Sequence, residues 1–162
     1  MSLQTPFPRP LVPASPDDAF VSVTMRLADP RSDLLVRHVR ILRDCVALAQ
    51  KRWTFEVEAA VVLPSEMQLL CIFPCGEFGV GGALRLIMSA FAKHVPVPPM
   101  TDNLWSDANE VIEIQPAVAE LRRGFIEQAP VRAGLVMAAI DWPFSSVHKK
   151  AQQSGDMGVA VA

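Results

Sequence analysis

Glu66 and Gln68 stand two residues apart within Phe55–Phe73, FEVEAAVVLPSEMQLLCIF. Successive side chains on a strand point to opposite faces, so these two share one face and Met67 and Leu69 take the other. Oxygen-bearing side chains amid apolar strand residues are costly to bury unless something binds them. A carboxylate and an amide on one face could offer oxygen to a hard cation such as magnesium, which takes one or two carboxylates plus substrate phosphates. Glu58, on the preceding strand, is a third oxygen donor that could point the same way. The plainer reading is a solvated or hydrogen-bonded pair.

Other chemistry-bearing residues are scattered. Ser65, Ser106 and Ser145 have no histidine placed by the sequence to activate them, and His38 and His148 lie elsewhere in the chain. Cys71-x3-Cys75 lacks the second ligand pair of a zinc site, and Cys71 reads as core. The glycines of Pro74–Gly82 are followed by no Gly-Lys-Ser/Thr, so that stretch reads as a flexible connection and not a phosphate loop. His94 ends a helix, where a histidine satisfies the last carbonyls.

The elements that must position Glu66 and Gln68 follow from periodicity. Ala19–Leu27 alternates, with Val21, Val23, Met25 and Leu27 on one face and Ser22, Thr24 and Arg26 on the other, which predicts a half-buried strand. Ser32 or Asp33 is a suitable N-cap for a helix over 33–52, whose stripe is Leu35, Val39, Leu42, Val46 and Ala49. Arg37, Arg40 and Arg43 occupy its other faces, where a charged run is ordinarily the solvated side of a helix. Two strands then meet at Leu63-Pro64-Ser65.

A second helix spans about Ala83–His94, with Leu84, Ile87, Met88 and Phe91 inward. Val111–Ile114 is a short strand. A third helix runs from Pro116 to Gln128, with Val118, Leu121, Phe125 and Ala129 inward, and Pro130 stops it. The order β-α-β-β-α-β-α predicts an α+β fold, an antiparallel sheet with helices packed on it in a ferredoxin-like sandwich. Leu35, Val39, Leu42, Val61, Leu70, Ile72, Ile87, Met88, Phe91 and Phe125 are expected to form one core, with both longer helices on the same side of the sheet.

Composition narrows the class. A chain of 162 residues suffices for one domain with its own core. The boundaries read as a Pro-rich arm over 1–18, a domain over 19–150 and a flexible tail over 151–162. Mean hydropathy is +0.26, yet no apolar run approaches the roughly 20 residues of a membrane span. No signal-peptide layout opens the chain, three cysteines form no disulfide framework, and a cytoplasmic location is expected. Net charge is −2, which gives no global attraction to nucleic acid and leaves only a local basic patch to supply it.

Phe125-Ile126-Glu127-Gln128-Ala129-Pro130-Val131-Arg132-Ala133-Gly134-Leu135-Val136, followed by Asp141-Trp142-Pro143-Phe144-Ser145-Ser146, resembles the C-terminal signature of the REP-associated tyrosine transposases, YIHxNPVRAGLV…DWPWSS. Arg26–Leu35 resembles the opening of one branch of that family, and Ala60–Leu70, AVVLPSEMQLL, its central strand. The matches fall in the family's order over about residues 20–148.

The resemblance implies a single-strand DNA transposase of the His-hydrophobic-His type. In such an enzyme two histidines hold a divalent metal that polarises a scissile phosphate, and a tyrosine hydroxyl attacks it. The histidine positions correspond here to Glu66 and Gln68. The tyrosine position falls around Ala108–Val111, where this sequence is a residue or two short, and the 162 residues contain no tyrosine at all.

The expectation is a degenerate, catalytically inactive member, a pseudoenzyme. Glu66 and Gln68 are then vestigial catalytic positions and weak metal candidates. No cofactor is expected, although the oxygen ligands leave room for a weak divalent site for magnesium.

Single-stranded or hairpin DNA is the implied partner, bound through Arg37, Arg40, Arg122, Arg123 and Arg132. The alternative is a protein-interaction or self-association module, with a homodimer as its simplest form, because surplus apolar surface marks interfaces. A metal-dependent nuclease or phosphodiesterase at Glu66 and Gln68 is the remaining class. No membrane partner is expected. Gly134 is expected in a left-handed turn, Leu135 and Val136 in the core, and Trp142 packed with its indole N–H on a carbonyl, so that the C-terminal block clamps the fold.

Overall fold

The computed structural model describes residues 18–74, 79–96 and 103–149. The arm and tail expected at the two ends fall almost wholly outside these residues, as does Cys75. Alternation in the sequence becomes four strands, β1 (Ala19–Arg26), β2 (Glu56–Val62), β3 (Glu66–Phe73) and β4 (Glu110–Ile114). They form one sheet in the order β2-β3-β1-β4, and every pairing is antiparallel. Among the described residues five α-helices accompany it: α1 (Leu34–Arg37), α2 (Val39–Trp53), α3 (Val80–His94), α4 (Ala119–Glu127) and α5 (Ala129–Arg132). The architecture is α+β, with a sheet covered by helices.

The sheet has two faces, and each carries its own core. Val21, Val23, Met25, Met67, Leu69, Cys71 and Phe73 project to one side, where Leu35, Leu42, Ala49, Ile87 and Phe91 from α1, α2 and α3 meet them. The two longer helices do share this side. Gly82 sits under the Trp53 ring, where a Cβ would collide with the indole, so glycine sets how closely α3 approaches the end of α2. Cys71 is buried in this core, and burial pushes its thiol well above the ordinary range.

Phe20, Val61, Leu70, Ile72, Ile114, Ala119, Ile126 and Ala129 form a separate core under α4 on the opposite side. The expected single core is therefore two, divided by the sheet. A strand that alternates and is covered on both faces must feed both layers, which is why Phe20 lies fully buried on the otherwise polar side of β1.

The third helix differs from expectation in its phase. Ala119, Arg123, Ile126 and Glu127 face inward. Val118, Leu121 and Phe125 are exposed by 44%, 74% and 48%. Residues next to the sheet are small or apolar at Ala119 and Ile126, and Arg123 is buried because Glu58 on β2 receives it at 3.4 Å. An ion pair takes the place that an apolar stripe would occupy, and apolar spacing alone points one residue away.

Pro130 does not stop a helix. Helix α4 ends at Glu127, and Pro130 lies in the first turn of α5, where its missing N–H is no loss. Gly134 has φ 75° and makes the left-handed turn expected of it, but Leu135 is exposed and Val136 only half-buried. Trp142 packs against the second core and donates its indole N–H to the Val62 carbonyl at 2.9 Å. The strand-like stretch Phe144–Ser146 bridges β2 through Val62 N–H to Phe144 O and Ser146 N–H to Ala60 O. The clamp reading of this block holds at Trp142 and the Phe144–Ser146 bridge and fails at Leu135.

Candidate nucleic-acid interface

Antiparallel register decides what surrounds Glu66 and Gln68. Arg26 at the end of β1 lies opposite Glu66 at the start of β3, and Thr24 lies between Gln68 on one side and Glu110 of β4 on the other. All belong to the face that carries Leu70 and Ile72, beneath α4. Arg26 Nε donates to Glu66 Oε1 at 3.1 Å, and Gln68 Nε2 donates to Glu66 Oε2. Both carboxylate oxygens thus hold a donor. The Arg26 Nη1 group also donates to the Ala108 carbonyl at 2.8 Å, its backbone N–H donates to Asn109 Oδ1 at 3.0 Å, and Glu110 lies 3.8 Å from Nη2.

One guanidinium therefore ties together the two positions at which the resemblance places metal ligands and nucleophile. Trp105 fixes the incoming segment by donating its indole N–H to the Met88 carbonyl at 2.9 Å, while Ser106 N–H donates to the Arg26 carbonyl at 2.8 Å.

This donor set does not fit a divalent metal. A cation at Glu66 would have to displace a guanidinium that already neutralises the carboxylate, and Gln68 turns its NH₂ group, a donor, toward the other carboxylate oxygen. Among the described residues no three His, Cys, Asp or Glu side chains gather as a set that could hold a metal. Glu58 is engaged by Arg123.

The five arginines expected to contact nucleic acid separate into three groups. Arg122 and Arg132 come together on either side of the α4–α5 turn, where both guanidinium groups lie over the Phe125 ring, their Cζ atoms 5.1 and 3.7 Å from its centroid. Arg132 also donates to the Phe125 carbonyl. Its guanidinium is lowered from the usual arginine value, first by partial desolvation and further by the like charge of Arg122, against a raising effect of Glu66. The pair sits on α4 and α5, over the sheet face that carries Glu66, Gln68, Leu70 and Ile72. Arg123 is turned inward to Glu58 and does not join them. Arg37, paired with Asp33, and the exposed Arg40 belong to α1 and α2, across the sheet.

Sequence reasoning missed Arg26 and Phe125. Arg26 read only as the polar side of a strand, and its role emerges from register, which pairs it with Glu66. Phe125 read as core through its spacing from Val118 and Leu121. Two arginines at 122 and 132 were the available signal that its surroundings are charged. His94 and His148 do what terminal and turn histidines do, each ring N–H donating to a backbone carbonyl, of Ala90 and Trp142 respectively.

No family model matches the chain. Over 128 residues it is 28% identical to the REP-associated tyrosine transposase of Escherichia coli (strain K12), covering 78% of this chain and 74% of that protein. A solved structure of a REP-associated tyrosine transposase bound to a REP hairpin superposes with a TM-score of 0.76 at 26% identity, covering 84% of this chain and 81% of that one. In sequence and in fold the chain is similar to the REP-associated tyrosine transposases. A crystal structure of a putative transposase from Deinococcus radiodurans aligns more loosely, with a TM-score of 0.48 at 18% identity over 68% of this chain and 90% of that one. The structural likeness covers the α+β fold. No helix among the described residues is long and apolar enough to cross a membrane.

Proposed function

We propose that this protein is a transposase-fold binder of single-stranded, hairpin-containing DNA that neither cuts nor joins it. The observation that carries the reading is the occupation of Glu66: Arg26 holds one oxygen and Gln68 the other. A resident guanidinium takes the electrostatic place that a metal would fill in a strand-transferring relative. It ties together the ends of the two central strands but cannot serve as a Lewis acid for a phosphoryl oxygen. The absence of any tyrosine removes the family's nucleophile independently.

Binding is supported by the relative whose structure contains a REP hairpin, and by Arg122 and Arg132 converging on the same face as Arg26. Phosphate contacts from arginine dominate such affinity and make it salt-dependent. The test is titration of a fluorescent hairpin bearing single-stranded flanks, across a salt series, with magnesium or with EDTA. Binding that weakens with salt and is the same in both buffers is expected. Binding that requires magnesium would contradict the proposal at its centre.

A second reading, self-association, is favoured by one feature. Val118, Leu121 and Phe125 form an exposed apolar strip bordering the buried Ile114, and Val111 and Ile112 of the sheet-edge strand β4 are exposed as well. Surface of this kind marks interfaces. Sedimentation at increasing concentration separates the two readings: a dimer that forms without DNA and blocks hairpin binding would favour this one.

A further inference from the structure

Phe125 is an aromatic side chain left half in water, on a helix whose inner face had room for an apolar residue at position 123 and took an arginine instead. What covers the ring is charge. Arg122 precedes it by three residues on the same helix, a spacing that brings side chains together. Arg132 arrives from α5 across the turn at Gln128 and is anchored by its bond to the Phe125 carbonyl, so its guanidinium is held over the ring before any ligand comes. The neighbouring groove, about 280 Å³, is lined by Ile114, Val118, Leu121, Arg122 and Phe125, and opens directly beside the ring.

A flat π surface next to two guanidinium groups suits one ligand chemistry in particular. A nucleobase stacks on an aromatic ring or on the plane of an arginine, and its phosphate pairs with the adjoining cation. A purely apolar partner would gain nothing from two cations at the centre of its contact. Two guanidinium groups over one ring carry like charge, which an anion lodged between them would relieve. The apolar floor toward Leu121 accommodates the edge of a base or a sugar.

We infer that Phe125 and the Arg132 guanidinium over it form a stacking platform for one unpaired nucleotide, with Arg122 receiving its phosphate. This rests on the proposed function and adds to it a named subsite and a ligand class: a base outside the duplex, in single-stranded flank or loop. Duplex DNA, whose bases are stacked on each other, would not use it.

The experiment uses the full chain and hairpin DNAs carrying 2-aminopurine at successive unpaired positions. One position should be quenched on binding. Phe125→Ala should weaken binding about tenfold, within the range for loss of one base–aromatic stack, and abolish that quench. Phe125→Trp should keep both. Arg132→Lys, which retains charge but loses the planar surface, should diminish the quench, whereas Arg122→Gln should flatten the salt dependence by about one unit of slope. Because Phe125 is exposed, thermal melts of these variants should match the wild type.

If the wild type binds the hairpin and Phe125→Ala binds it equally with the same quench, the platform is refuted and the proposed function stands. If the wild type binds no hairpin, both fall. If Phe125→Ala leaves DNA binding intact but disperses a dimer, the surface is a protein interface and the inference is wrong.

Discussion

The two faces of the sheet are built on opposite principles. Under α2 and α3 the contact is apolar throughout, from Val21 and Met25 to Leu42 and Phe91. Under α4 a smaller core of Phe20, Leu70, Ile72 and Ile126 gives way to charge: Arg123 on Glu58, Arg26 on Glu66, and Arg122 and Arg132 over Phe125. The difference separates a face built on shape from one that carries the charge. The dry face needs nothing but complementary shape. The charged face pairs its ionic groups with one another toward an exposed margin.

Truncation on the dry face should have the largest effect. Leu42 is fully buried between helix and sheet, so Leu42→Ala should lower unfolding free energy by about 4 kcal/mol in urea denaturation. A loss under 1 kcal/mol would mean that this face is not the stabilising one.

The buried pair on the other face comes next. Glu58→Ala should lower stability by about 3 kcal/mol, because it leaves the buried Arg123 with only the more distant, exposed Glu120 at 3.7 Å. Replacing both, Glu58→Leu with Arg123→Met, should return the protein close to wild-type stability. A double variant as unstable as the single one would show that the pair is needed for packing and not merely tolerated.

Trp142→Ala should lower stability by about 3 kcal/mol, the lower end for buried aromatic truncations, since its ring is partly exposed while its indole holds Val62. DNA binding should fall only in proportion to unfolding. A stable variant that has lost DNA binding would make this block part of the functional surface.

The smallest effect belongs to Leu121→Ser, at a side chain 74% exposed: a change within about 0.5 kcal/mol in the same denaturation assay.

The same contrast explains what could be read before the structure. Leu35, Leu42, Ile87 and Phe91 are legible because a helix over an apolar face repeats every three to four residues, and all four are buried together. The strands, the left-handed Gly134 and the indole bond of Trp142 are legible for similarly local reasons. Helix α4 is not, since Arg123 reads as surface until Glu58 is seen beneath it, and the apolar residues Leu121 and Phe125 then read as core.

At the candidate site, Glu66 and Gln68 were visible from their spacing, and their shared face holds. Their chemistry was not visible, because Arg26 is 40 residues away and joins Glu66 only through antiparallel register. Long-range pairing of charges leaves no periodic trace in a sequence.

The central claim is that a resident arginine has taken the metal's place and left a binder without strand chemistry. It is tested most directly by incubating the protein with labelled hairpin DNA in magnesium or manganese and resolving the products under denaturing conditions. The account predicts intact DNA and no protein–DNA adduct, under conditions in which native gels show a complex. Cleaved DNA, or an adduct that survives denaturation, would contradict it.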